Sequence, residues 1–79
     1  MDYLHQDITE RIIKCFYEVY NILGYGFLEK VYEHSMMLEL ARCGLRVRNQ
    51  VPVKVHYKGE QVGDYYADIV VDDQVIIEL

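Results

Sequence analysis

Apolar residues in this 79-residue chain recur every three or four positions as far as Gly44 and every second position from Val51 onward. That change of period constrains the fold more than any other feature, because 3.6-residue and 2-residue repeats belong to helices and strands respectively. In the first part, Ile8, Ile12, Phe16, Val19, Tyr20 and Leu23 form one stripe and leave Glu10, Arg11, Lys14 and Glu18 for water. The spacing predicts an amphipathic helix over about 7–23. Asp7, three residues before Glu10, has the form of a capping box, and Gly24 supplies a helix stop. A second helix is expected over about 26–43, where Leu28, Val31, Tyr32, Ser35, Met36 and Cys43 share a broad face at about 100° per residue. Glu29 falls at the edge of that face and Glu39 within it, and Gly44 closes the helix.

After Gly44, Val51, Val53, Val55 and Tyr57 alternate with Pro52, Lys54, His56 and Lys58, the pattern of a strand over about 51–58 with one buried face. Pro52 marks an edge or entry position. Lys58-Gly59-Glu60 is a turn signal, and strands are expected over about 61–71 and 74–79, separated by Asp72-Asp73. The resulting order is α+β: two N-terminal helices packed on a three- to four-stranded, largely antiparallel sheet. The sequence stops in mid-strand, which suits a piece of a longer domain. The open edge then favours a homo-oligomer.

A net charge of −5, from 8 basic and 13 acidic residues, excludes a simple basic coat for nucleic acid, since an acidic surface repels phosphates unless a cation intervenes. No apolar run approaches the ~20 residues that cross a bilayer. The opening Met1-Asp2-Tyr3-Leu4-His5 lacks the segments of a signal peptide, which points to the cytoplasm and away from a membrane. Cys15 and Cys43 are distant in sequence and form no Cys-x-x-Cys, so both are expected to be buried, reduced thiols without a disulfide.

Three acids stand where apolar residues are expected. Asp68 lies between Ala67 and Ile69, Glu78 between Ile77 and Leu79, and Glu29 on the margin of the second helix's apolar stripe. A buried carboxylate must be neutralised, paired or bound to a cation. Converging carboxylates suit Mg²⁺, a hard ion that takes oxygen ligands. The strand register tests the idea. A two-residue loop would pair Val71 with Gln74 and turn Asp68 and Glu78 to opposite sides. A three-residue loop, Asp72-Asp73-Gln74, pairs Val71 with Val75 and sets Asp68 opposite Glu78. The competing explanation is that these acids simply occupy a wet sheet face.

Gly26-Phe27-Leu28-Glu29-Lys30-Val31-Tyr32 reads G-x-x-E-x-x-Y. With Leu23-Gly24-Tyr25-Gly26, Asn49-Gln50-Val51-Pro52-Val53, Tyr57-Lys58-Gly59, Tyr66-Ala67-Asp68 and Val75-Ile76-Ile77-Glu78-Leu79, the chain resembles the GxxExxY protein family over nearly its whole length. That family looks like a compact version of the PD-(D/E)xK nuclease superfamily. The resemblance implies an incomplete restriction-endonuclease-like core, with Asp68 as the strand acid, Glu78 as the acid of E-x-K and Glu29 as the helix acid. Together they would be the catalytic residues and hold Mg²⁺, weakly in these 79 residues. It also places the expected Lys directly after Leu79, which leaves open whether this chain is itself an enzyme. Intact relatives are expected to act on nucleic acid. The chain as it stands is expected to be inactive, or to be a non-catalytic interaction or oligomerisation module on the same scaffold. Ala67 stands where the family's Pro would precede the Asp.

Other signals carry less. Gly24-Tyr25-Gly26 follows a helix and has Glu29 where a third glycine would be needed for a phosphate loop. His5, His34 and His56 lack zinc-ligand spacing. Lys54, His56 and Lys58, with Arg46 and Arg48 nearby, read as a solvated basic face. Tyr20, Tyr32 and Tyr57 fall on expected core faces, with Tyr32 placed one turn from Glu29.

Overall fold

A computed structural model describes residues 6–79; His5 lies outside them. Helix α1 spans Gln6–Leu23 and α2 spans Glu29–Arg42, followed by strands β1 (Val47–Tyr57), β2 (Glu60–Val71) and β3 (Val75–Ile77). The strands form one antiparallel sheet in the order β1-β2-β3. Helix α1 lies against α2, and α2 lies against β1 and β2. This is the α+β layout that the two periods predict, with three strands.

Helix ends obey backbone chemistry closely. The Gly24 N–H donates to the Tyr20 carbonyl at 2.9 Å with φ +71°. At the end of α2, Gly44 (φ +82°) donates to Ala41 and Leu45 donates to Leu40, the paired bonds of a Schellman closure. The starts depart from expectation. Helix α1 begins at Gln6, so Asp7 sits in the first turn and is not its cap. Helix α2 begins at Glu29, not near residue 26, because Gly26 holds φ +106°, a value outside the helical well.

The core gathers Ile12, Cys15 and Val19 from α1, Tyr32, Met36 and Leu40 from α2, and Leu45, Ile69 and Val71. Phe16 is on the rim, its ring 4.5 Å from that of Tyr20. The distal half of the β1–β2 hairpin lies beyond the helices. Val55, Tyr57 and Val62 are exposed there, although alternation had marked Val55 and Tyr57 for the core. The hairpin turns on Lys58 and Gly59, both at positive φ. A bulge between Val55 and His56 shifts its register, and such bulges strengthen local twist.

The two cysteines are close in space. Cys15 Sγ lies 3.3 Å from Cys43 Sγ across the α1–α2 interface, and Arg11 donates to the Cys43 carbonyl. Cys15 is buried but Cys43 is exposed, which corrects the expectation that both thiols are buried. Burial first, then the Cys43 thiol and the Glu39 carboxylate, push the Cys15 thiol from 9.0 up to about 12. The folded chain therefore keeps this proton through the interval in which the unfolded chain loses it. The stability this confers is intact below about pH 9 and is lost as pH rises towards 12. The stability advantage of wild type over Cys15→Ala should accordingly narrow above pH 9 in urea denaturation. A difference that stays constant with pH would contradict this assignment.

Candidate functional site

The site begins at the turn between β2 and β3. Val71 pairs with Val75, Val70 with Ile76 and Ile69 with Ile77, which leaves Asp72, Asp73 and Gln74 as a three-residue loop. Asp72 and Asp73 adopt φ +50° and +55°, a conformation that Asp tolerates better than most residues. The loop is tied to β1 and the segment before it. The Asp72 N–H donates to the Arg46 carbonyl, the Arg46 N–H donates to Asp72 Oδ1, each at 2.8 Å, and Arg48 pairs with Asp73 at 2.6 Å. The paired ladder ends at Ile69–Ile77; continued by one residue, this register would align Asp68 with Glu78.

Asp68 has a cross-strand neighbour in β1. Asn49 pairs with Ile69 and Val51 with Ala67, so the residue facing Asp68 on β1 is Gln50. Gln50 has φ +52° in the middle of a strand, a backbone state that costs a residue with a Cβ about 1–3 kcal/mol. The kink interrupts the pleat and directs the Gln50 amide between two acids. Its Nε2 donates to Glu33 Oε1 at 3.0 Å and more weakly to Asp68 Oδ1 at 3.5 Å. Asp68 Oδ2 also accepts the Leu79 N–H at 2.7 Å.

Glu33 is the residue that sequence reasoning missed. It is 1% exposed, and its carboxylate accepts from Asn49 at 3.2 Å and Gln50 at 3.0 Å, with Lys30 Nζ 3.6 Å away. Two side-chain amides and a cation compensate the lost hydration, as a buried charge requires. Its signal was present: Met36, Met37 and Leu40 follow Glu33 by three, four and seven residues, the spacing of one helix face. Glu29, four residues earlier, is exposed in the first turn of α2, where the helix dipole favours an anion. Glu78 is exposed as well. The structure thus pairs β2 with β3 as far as Ile69–Ile77, brings the Leu79 N–H to Asp68, and links Asp68 through Gln50 to Glu33. Among the described residues, Glu29, Asp68 and Glu78 do not form a set with ligand atoms within 4.8 Å of one another.

Tyr32 serves the loop ahead of α2. Its hydroxyl donates to the Gly24 carbonyl at 2.8 Å and accepts the Phe27 N–H at 3.3 Å, and its ring stacks on Tyr20 at 4.7 Å. The glycine and tyrosine of G-x-x-E-x-x-Y therefore shape and pin the turn from which α2 starts. Lys54, His56 and Lys58 are exposed on the β1–β2 hairpin.

With this geometry in view, comparison with known proteins gives one assignment. The profile of the PD-(D/E)XK nuclease superfamily matches residues 6–79. The chain belongs to that superfamily, whose nucleases generally use divalent metals. No curated protein and no solved structure gives a significant match.

The acid network makes a mutational contrast. Gln50→Ala should destabilise the fold by about 1–3 kcal/mol, because Glu33 then loses a donor while remaining buried. Exposed Glu29→Ala should stay within about 0.5 kcal/mol of wild type. Urea unfolding of both variants checks the difference, and equal effects would remove Gln50 from its bridging role.

Proposed function

We propose that this chain carries the acidic, cation-holding part of a metal-dependent nuclease site of the GxxExxY type, whose intact form hydrolyses nucleic-acid phosphodiesters. The observation that supports this reading most is the Gln50 amide, which draws a helix acid and a strand acid to one point from two layers of the fold. The donor chemistry fits a hard ion. Asp68 accepts two hydrogen bonds, one of them long, so about half of its roughly four lone-pair positions remain free. Continued by one residue past Ile69–Ile77, the strand register would bring the exposed Glu78 beside it.

In this proposal Asp68 and Glu78 hold Mg²⁺ directly and weakly. Glu29 acts from the rim through water. Glu33 is a positioning residue that keeps Gln50, and through it Asp68, in place. Such an ion, when bound, polarises a phosphoryl oxygen and acidifies an attacking water. The lysine that the family places after Leu79 is not among these 79 residues. Ion binding is the role proposed for the residues described, and hydrolysis is proposed for the intact form. The cytoplasm is the proposed location, on the sequence pattern alone. No helix among the described residues is long and apolar enough to cross a membrane.

A specific observation favours a second reading. Asp68 and Glu33 are both engaged by protein donors, as they would be in a scaffold retained as an interaction module. Titration with Mn²⁺ and Mg²⁺ separates the two. Weak binding in wild type that is lost in Asp68→Ala and Asp68→Asn supports the metal site. The Asn variant keeps an oxygen acceptor for the Leu79 N–H. Absence of any metal-dependent signal in wild type supports the interaction module.

Self-association belongs to the same proposal. Strand β3 pairs with β2 through one edge, and its other edge is proposed to pair with a second copy; Ile76 on this strand is 46% exposed, so a charge can be placed there. Light scattering should show a dimer or larger species at high concentration, dispersed by Ile76→Lys. A wild-type monomer under those conditions would contradict it.

A further inference from the structure

We propose that Cys15, Glu39 and Cys43 form a second cation site, selective for a soft or borderline ion such as zinc(II). Among the described residues their ligand atoms lie within 4.8 Å of one another. The site is built from helix geometry. Glu39 and Cys43 are four residues apart at the C-terminal end of α2, so they share one face, and Cys15 meets them from α1 at 3.3 Å between sulfurs. Ligands from facing helices are how bundle proteins assemble metal centres. Cys15 is 2% exposed and forms the inner wall, whereas Cys43 is exposed and gives an ion its way in.

The dimensions and charges suit such an ion. Zinc bonds sulfur at about 2.3 Å and carboxylate oxygen at about 2.0–2.2 Å, so tetrahedral binding needs the sulfurs ~3.8 Å apart. Parting them by ~0.5 Å is within a small χ1 rotation. Two thiolates and one carboxylate carry three negative charges. A divalent ion and the Arg11 guanidinium, held on the Cys43 carbonyl, balance them. Each thiol releases its proton to solvent on binding, and the fourth position is open to water. Thiolate ligands select zinc, cadmium or copper(I), whereas carboxylates select magnesium. The chain would thus sort two classes of ion between the helix pair and the sheet.

The test is titration of the full chain with Co²⁺ or Cd²⁺ under a phosphine reductant, read by sulfur-to-metal charge-transfer absorption. A band that saturates at one ion per chain, is displaced by Zn²⁺ and persists in excess Mg²⁺ is expected. Cys43→Ser, a surface change whose folding circular dichroism verifies, should abolish the two-thiolate band. Glu39→Gln should keep the band but weaken affinity by at least about tenfold. Asp68→Ala should leave it unchanged, which separates failure here from failure of the nuclease reading. No band in the reduced wild type, with only a Cys15–Cys43 disulfide forming on exposure to peroxide, would overturn the proposal. So would a band that survives in Cys43→Ser.

Discussion

The arrangement of the acids depends on the register between β2 and β3, and that register depends on two aspartates holding positive φ. Asp72 and Asp73 lengthen the loop to three residues. With one residue fewer, Asp68 would oppose Ile77, and Glu78 would point to the other side of the sheet, because a one-residue slip reverses every side chain. The hydrogen bonds from this loop to Arg46 and Arg48 make the slip costly. They also join the third strand to the first, which it does not touch in the sheet.

Gln50 is the complementary constraint. A glutamine in mid-strand at φ +52° is an unfavourable local state, and it persists because its amide serves carboxylates on two elements. Glu33 is shielded from water, so each donor that reaches it counts for more than the same bond at the surface. Strain of this kind gathers where function constrains the backbone. It is here the most economical account of why β1 departs from the regular pleat opposite Asp68.

Much of the architecture was legible in the residue pattern. The stripe of Ile12 and Val19, the stop glycines at 24 and 44 and the switch to alternation at Val51 follow from local rules, whereas the residue pattern allowed either a two- or a three-residue loop at Asp72 and the structure has three. The errors have a shared cause. Tyr57 and Val55 alternate correctly for a core face, but alternation cannot say how far the helices extend over a sheet. Glu29 was singled out on the wheel of α2, while Glu33, one turn later and on the same face as Met36 and Leu40, is the acid that burial selects. Cys15 and Cys43 are 28 positions apart in sequence, yet the turn between the helices returns the chain on itself.

The sequence by itself determined the elements, their order and the chain reversals, since each arises from φ preferences and periodicity within a few residues. Only the tertiary structure decided which carboxylate is buried, that Gln50 joins two layers, and that two thiols and Glu39 meet. Those outcomes depend on which faces of separate elements are pressed together and lose water. No local preference encodes that.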